Sequence, residues 1–304
     1  MATLRQTFSD IASAIRAKGV SGTMKPIEMA SKIGEIQTGG SQDYGYLTFT
    51  AEEATTLTLK KYQTSYTHKL LKSTDGVNWT KWENPSTNGI SLNAGESVYI
   101  KADEDALCRT SLDNSRYNYF SSTGDIKCNG DIRSIVNLFF PGNYSYFLSG
   151  LFSDCKSLTT APELPATTLP DYCYSFMFSG CTSLTTAPEL PATNLAAKCY
   201  FIMFRYCNSL TQAPELPATT LASDCYDGMF ESCTSLTSAP ELPATTLATE
   251  CYNEMFKGCT SLTSAPELPA TTLARSCYSY MFSGCASLTQ APELPATTLA
   301  RYCY

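Results

Sequence analysis

Fourteen cysteines and a single histidine are the side chains of this sequence best suited to nucleophilic or metal chemistry. A cysteine nucleophile needs a base beside it, and His68 stands far along the chain from the cysteine-rich half. Zinc sites favour CxxC or Cys/His spacing, and neither occurs. Cys173 and Cys181 are eight residues apart in a segment that reads as helix. They would lie about 12 Å apart along the axis, beyond the roughly 7 Å that a disulfide allows. Three readings stay open: buried thiols acting as small apolar filler, which the spacing favours; disulfides between neighbouring turns; and a metal array. No phosphate-cradling GxxxxGK[ST] or GxGxxG loop occurs. We expect no catalytic residues, no cofactor and no resident metal. One further column stands out: Glu163, Glu189, Glu215, Glu241, Glu267 and Glu293 recur in register. A solvated acidic stripe is the plainest reading. Bonding to neighbouring backbone N–H groups, or a cation such as Ca²⁺ held between repeats, are the alternatives.

These residues are positioned by a repeat. The segment APELPAT begins at Ala161 and recurs at Ala187, Ala213, Ala239, Ala265 and Ala291, a fixed interval of 26 residues. Such a period means a solenoid in which each unit buries its apolar face against its neighbours. Ser-Leu-Thr-x-Ala-Pro reads as a short strand stopped by proline. Leu169, Cys173, Met177 and Cys181 then recur every four residues, which predicts one face of a short helix entered through Thr167–Thr168. Each unit is therefore expected to be strand, Pro-bounded connector and helix. Shifting the frame back places Ile132, Ile135, Leu138, Phe147, Leu151, Phe152 and Cys155 in the same columns. This predicts a capping repeat over residues 124–156 and repeats proper over 157–304.

What differs between repeats is confined to three places: before Cys-Tyr, between Cys-Tyr and Met-Phe, and after Met-Phe. On the predicted helix these positions point away from the apolar stripe. They form either an unconstrained solvated face or a recognition surface. The candidates for recognition are Lys198, Phe201, Arg205, Tyr206, Arg275, Tyr280, Arg301 and Tyr302, because aromatic and Arg side chains dominate binding hot spots.

Two modules precede the array. Residues 1–37 read as a helical hairpin with an apolar face of Leu4, Phe8, Ile11, Ile15, Met29, Ile33 and Ile36. Two helices of this length bury too little to stand alone, so this face is expected to serve as an attachment surface. Residues 38–43 read as a Gly/Ser linker. Residues 44–123 alternate like strands, with a turn at Asp75-Gly76, and predict a small all-β sandwich. Trp79 and Trp82 fall on opposite faces by parity. One should be core; the other can stack on a sugar.

Composition bounds the partners. The chain has 304 residues, 43% of them apolar and 16% charged, with a net charge of −7. No Lys/Arg cluster suits nucleic acid, no apolar run approaches a membrane span, and the N-terminus has no apolar leader.

The motif F-x-G-C-x-S-L-T, at Phe178–Thr185 and Phe282–Thr289, resembles the BspA-like leucine-rich repeats of gut and oral bacteria and their phages. With APELPATTLA and CY-x-x-MF it is similar to the long-repeat variant of Bacteroidales genomes and gut phages. The resemblance implies a right-handed solenoid used in adhesion or recognition, without catalysis. Phe8–Ile33 resembles a segment near the start of gut-phage virion proteins, including head-fibre and tail components. The combined expectation is a multidomain, non-enzymatic virion structural protein. It would dock on other virion proteins through residues 1–37, form a homo-oligomer (a trimer as starting expectation), and present strand–helix repeats to a host surface protein or glycan. A bacterial cell-surface adhesin is the alternative.

Overall fold

A computed structural model of the chain describes residues 45–61, 70–103, 118–135 and 148–304. These residues all belong to one compact unit. The hairpin expected over residues 1–37, with its face from Leu4 to Ile36, lies outside the described residues.

Eight strands form a two-sheet module: β1 (Leu47–Ala51), β2 (Thr55–Lys61), β3 (Leu70–Ser73), β4 (Thr80–Lys81), β5 (Ile90–Leu92), β6 (Ser97–Ala102), β7 (Asn118–Ser122) and β8 (Ile126–Asn129). A ninth, β9 (Leu158–Thr160), belongs to the first repeat. One sheet runs β4-β3-β6-β1-β8-β9 and the other β5-β2-β7. Period-two alternation decides which residues face inward. Leu47, Phe49 and Ala51 of β1 are buried while Thr48 and Thr50 are half-exposed. Phe49 meets Phe120 of the other sheet at 4.8 Å between ring centroids. Trp82 is the core tryptophan, and its Nε1 donates to the Asn88 carbonyl at 2.8 Å. Trp79 lies half-exposed against Tyr46, with Lys101 Nζ 4.6 Å from its ring centre.

The array grows directly from this module. β9 pairs parallel with β8, Ile126 opposite Leu158. From the second sheet the Phe120 N–H donates to the Leu151 carbonyl at 2.7 Å. Parallel pairing then continues from rung to rung, Thr160 with Thr186, Gln212 with Ser238, and Ser238 with Ser264. β9 ends before Pro162, as a residue without an N–H requires of a ladder.

The expected strand–helix repeat is wrong in its second half. Among the described residues there is no α-helix. The segment from Leu169 to Cys181 is a run of linked turns, each closing four residues. Ser175, Met177, Ser179 and Cys181 donate their N–H groups three residues back, at 3.0–3.2 Å. The residues between them, Tyr172, Tyr174, Phe176, Phe178 and Gly180, donate instead to carbonyls of the following rung, at 2.7–3.0 Å. Every fourth residue takes a positive φ: Tyr172 at 58°, Phe176 at 58° and Gly180 at 79°. An α-helix directs its interior N–H groups along its own axis. Here half of the donors are used to bind the next rung. Thr167 and Thr168 are accordingly exposed edge residues, Thr168 pairing with Asn194, and not helix caps.

The core is a set of columns. Phe152, Phe178, Phe204, Phe230 and Phe256 are buried in one file, with ring centroids 5.5–5.7 Å apart. Phe120 extends that file into the two-sheet module at 5.4 Å. Tyr200, Tyr226, Tyr252 and Tyr278 stack in a second file at 5.6–5.8 Å, within 5° of parallel. Leu, Met and Cys files fill the rest.

Candidate functional site: the variable corners of the solenoid

The four-residue turns decide which positions are free to vary. Residues that point inward, Cys173, Met177 and Cys181 with Tyr174 and Phe178, repeat unchanged because each column must stack on itself. The two residues at each corner lie outside the apolar columns, and the second of them carries the left-handed backbone. Lys198, Ile202 and Tyr206 occupy these corners in one rung; Asp224, Gly228 and Ser232 in the next; then Glu250, Glu254 and Gly258; then Ser276, Tyr280 and Gly284. The left-handed region disfavours side chains with a Cβ by roughly 1–2 kcal/mol per residue. Non-glycine residues are held there by the axial hydrogen bonds of the same segments.

The recognition candidates all lie on this corner face, in two groups. In one rung the Lys198 ammonium stands over the Tyr172 and Phe201 rings, 5.7 and 5.4 Å from their centres, and 3.8 Å from Asp224 of the next rung. Phe201 meets Phe176 edge-on at 5.2 Å. Arg205 stacks on Tyr206 at 4.5 Å, donates to its hydroxyl at 2.8 Å and pairs with Glu231 at 2.8 Å. The second group lies further along the array. Arg275 reaches Glu250 at 2.6 Å. Tyr280 and Tyr302 are 67% and 62% exposed, the most exposed aromatic rings described on the solenoid. Arg301 stacks on Tyr302 at 4.7 Å.

Between the two groups lies an acidic patch that the list of candidates omitted: Asp224, Asp227, Glu231, Glu250 and Glu254. Its signal was present in the corner pairs DG, NE and ES. Carboxylates in consecutive repeats at the same corner must stack, and Asp227 and Glu231 are almost completely buried. Lys257 bridges Glu254 at 2.9 Å and Glu231 at 3.9 Å, and the hydrogen bond it donates to Glu254 raises its pKa. One carboxylate oxygen from each of Asp224, Asp227 and Glu250 lies within 4.8 Å of the others. Asp227 accepts a hydrogen bond from Asn253 at 3.0 Å. Burial, with Asp224, Glu254 and Glu250 nearby, pushes the Asp227 carboxyl up to about 7, although the Asn253 bond acts the other way. Burial also raises Asp224, opposed by Lys198.

The connector side differs. All six column glutamates from Glu163 to Glu293 are exposed, and among the described residues none of them makes an ion pair. Two connectors, around Glu241 and Glu267, bound a shallow proline-lined groove with Leu242 at its base.

The thirteen described cysteines carry free thiols, twelve of them buried. In one file each thiol donates to the carbonyl of a phenylalanine in the preceding rung: Cys181 to Phe152, Cys207 to Phe178, Cys233 to Phe204 and Cys259 to Phe230, at 3.0–3.1 Å. Burial drives the thiol of Cys155 up to about 11 and those of Cys173 and Cys259 up to about 12. Such groups are poor nucleophiles at neutral pH.

Comparison with known proteins adds one finding. No curated protein and no solved structure matches the chain. A family model described as BspA type Leucine rich repeat region (6 copies) matches residues 125–213 and 192–303. The match takes in more than half of the sequence, and the chain belongs to the BspA-type leucine-rich repeat family.

Proposed function

We propose that this is a non-enzymatic binding protein whose solenoid presents its variable corners to a surface protein or glycan. The observation that carries the reading is the division of labour within each rung. Inward columns repeat without change, while the corners combine half-exposed aromatic rings, stacked Arg–Tyr pairs and carboxylates. Aromatic and Arg side chains on a rigid frame lose little entropy on binding. Cysteines that are buried, with raised thiol pKa values, fit a structural role.

The finer reading is a phage virion accessory protein, anchored through residues 1–37 and forming a homo-oligomer. The similarity of Phe8–Ile33 to segments of virion proteins supports it. Membership of the BspA-type family favours the second reading, a bacterial cell-surface adhesin. Immunogold labelling with an antibody to the solenoid separates them, since particles are decorated in the first case and bacterial cells in the second.

The binding reading is tested by a combined alanine variant at Phe201, Arg205, Tyr206 and Tyr280. These are corner positions, so folding should be retained, with circular dichroism unchanged. Adhesion to cells and binding to an array of host glycans should fall at least tenfold. Undiminished binding by the folded variant would remove the corner face from the function.

A further inference from the structure

We propose that Asp224, Asp227 and Glu250 hold a shared proton between two rungs of the corner face, and that its release changes the charge of that face and loosens the rungs beneath it. The consequence for recognition rests on the binding function proposed above; the proton itself does not.

The geometry gives the reason. Three carboxylates with oxygens within 4.8 Å of one another repel if all are ionised. The surrounding charge is insufficient to prevent this. Lys198 approaches Asp224 at 3.8 Å and Arg275 approaches Glu250 at 2.6 Å, so each outer carboxylate has one cation. Asp227, on the same rung as Asp224, is 9% exposed and has the neutral amide of Asn253 as its side-chain donor, while Asp224 and Glu250 share a side-chain hydrogen bond across the rungs. Glu254, the remaining acid that faces it, adds repulsion and is itself paired with Lys257. On the preceding rung the neighbouring corner is Phe201–Ile202, which supplies no charge. The third carboxyl is therefore best accommodated neutral, as in other close acid pairs that share a proton. The direction expected for Asp227, up to about 7 through burial first and its acidic neighbours second, agrees with this.

Release is a simple ionisation: the carboxyl O–H breaks, the proton goes to water, and one negative charge stays between the rungs. The corner backbone registers it. Asp224 donates to the Thr249 carbonyl and Gly228 to the Asn253 carbonyl, at 3.0 and 2.8 Å, and these bonds flank the trio. Asp224 and Glu250 both carry left-handed backbones, with φ of 56° and 57°. Repulsion there thus acts on strained corners held mainly by axial bonds.

The test uses the full chain labelled with ¹³C at Asp and Glu carboxyls, titrated by NMR from mildly acidic to mildly alkaline pH without any partner. One resonance should show a midpoint close to neutrality and be missing from Asp227→Asn. Hydrogen exchange at the Gly228 amide, corrected for its intrinsic pH dependence, should lose about tenfold in protection across that midpoint, as one pK unit of coupling implies. It should stay flat in Asp227→Asn. Should that variant not fold, Glu250→Gln must lower the midpoint instead. Titration of all three carboxyls in the ordinary acidic range would overturn the proposal. So would a midpoint abolished by millimolar calcium, since the trio would then be a cation site. A shared proton with no effect of pH on cell adhesion would leave the device standing and count against the binding face.

Discussion

Alkali should unfold this solenoid through its thiols. Ten cysteines, from Cys128 to Cys259, are buried and have their thiol pKa values raised chiefly by that burial. In the unfolded chain the same groups ionise near 8.5. Above that pH the unfolded state binds fewer protons than the folded state, so stability falls as pH rises. At pH 10 each unfolded thiol lies ~1.5 units past its midpoint, which favours unfolding by about 2 kcal/mol. Ten of them amount to about 20 kcal/mol, more than the 5–15 kcal/mol that typically holds a domain together. At pH 9 the corresponding loss is about 8 kcal/mol. Urea unfolding followed by far-ultraviolet circular dichroism, under reductant, should therefore show a collapse of the midpoint between roughly pH 9 and 10. Replacing Cys207, Cys225, Cys233 and Cys251 by Ala should lower stability at pH 7 and weaken its alkaline dependence. Equal urea midpoints at pH 8 and pH 10 would show that the columns are not sealed from water, and the packing argument would fail.

Three other perturbations have definite signs. Gly258 has a φ of 73°, and an added Cβ would lie 3.1 Å from Ser232 Oγ; Gly258→Ala should destabilise by about 1 kcal/mol in thermal unfolding, whereas a helix would gain about that much. Ser276, with φ 54°, should respond oppositely, Ser276→Gly raising the melting temperature. Leu216 is buried in the connector, and Leu216→Ala should cost 2–5 kcal/mol by urea titration. The raised carboxyl of Asp227 lowers stability as pH rises from about 4 towards 7, so Asp227→Asn should be nearly neutral at pH 4 and stabilising at pH 8.

The rung was legible in the sequence, and the conformation of half of it was not. APELPAT and the fixed interval required stacked copies, and the columns through Leu158, Cys173, Met177 and Cys181 were visible as unchanged letters. The error came from the spacing of four. In a helix a step of four residues drifts about 40° around the axis. A strict file at Leu169, Cys173, Met177 and Cys181, with Tyr174 and Phe178 keeping the same four-residue step beside it, fits a four-residue turn better. Glycines at 180, 228, 258 and 284 gave a second warning, since a helix interior disfavours them. The left-handed Tyr172 and Phe176 left no comparable trace, because axial hydrogen bonds to a neighbouring rung enforce those angles and local propensity does not. The acidic patch was missed for a related reason. Asp224 and Asp227 are close in sequence, but Glu250 joins them only when consecutive rungs are superposed.

The axial hydrogen bonds also give the array a direction. From Gly150 onward the left-handed corners and the aromatic columns of the turn segments send their N–H groups towards higher residue numbers, while amides outside the turns, such as those of Ser183, Thr237 and Thr263, donate back to the preceding rung. At the low-numbered end, carbonyls such as those of Leu151 and Ser157 are taken by donors from β7 and β8. Inserting or deleting one whole rung within the array therefore preserves the donor–acceptor pattern, whereas a change of any other length breaks the matches of the rung that carries it. Repeat number can drift by duplication and loss without disturbing the junction with the sheets, and each new copy arrives with its own six corner residues to diversify.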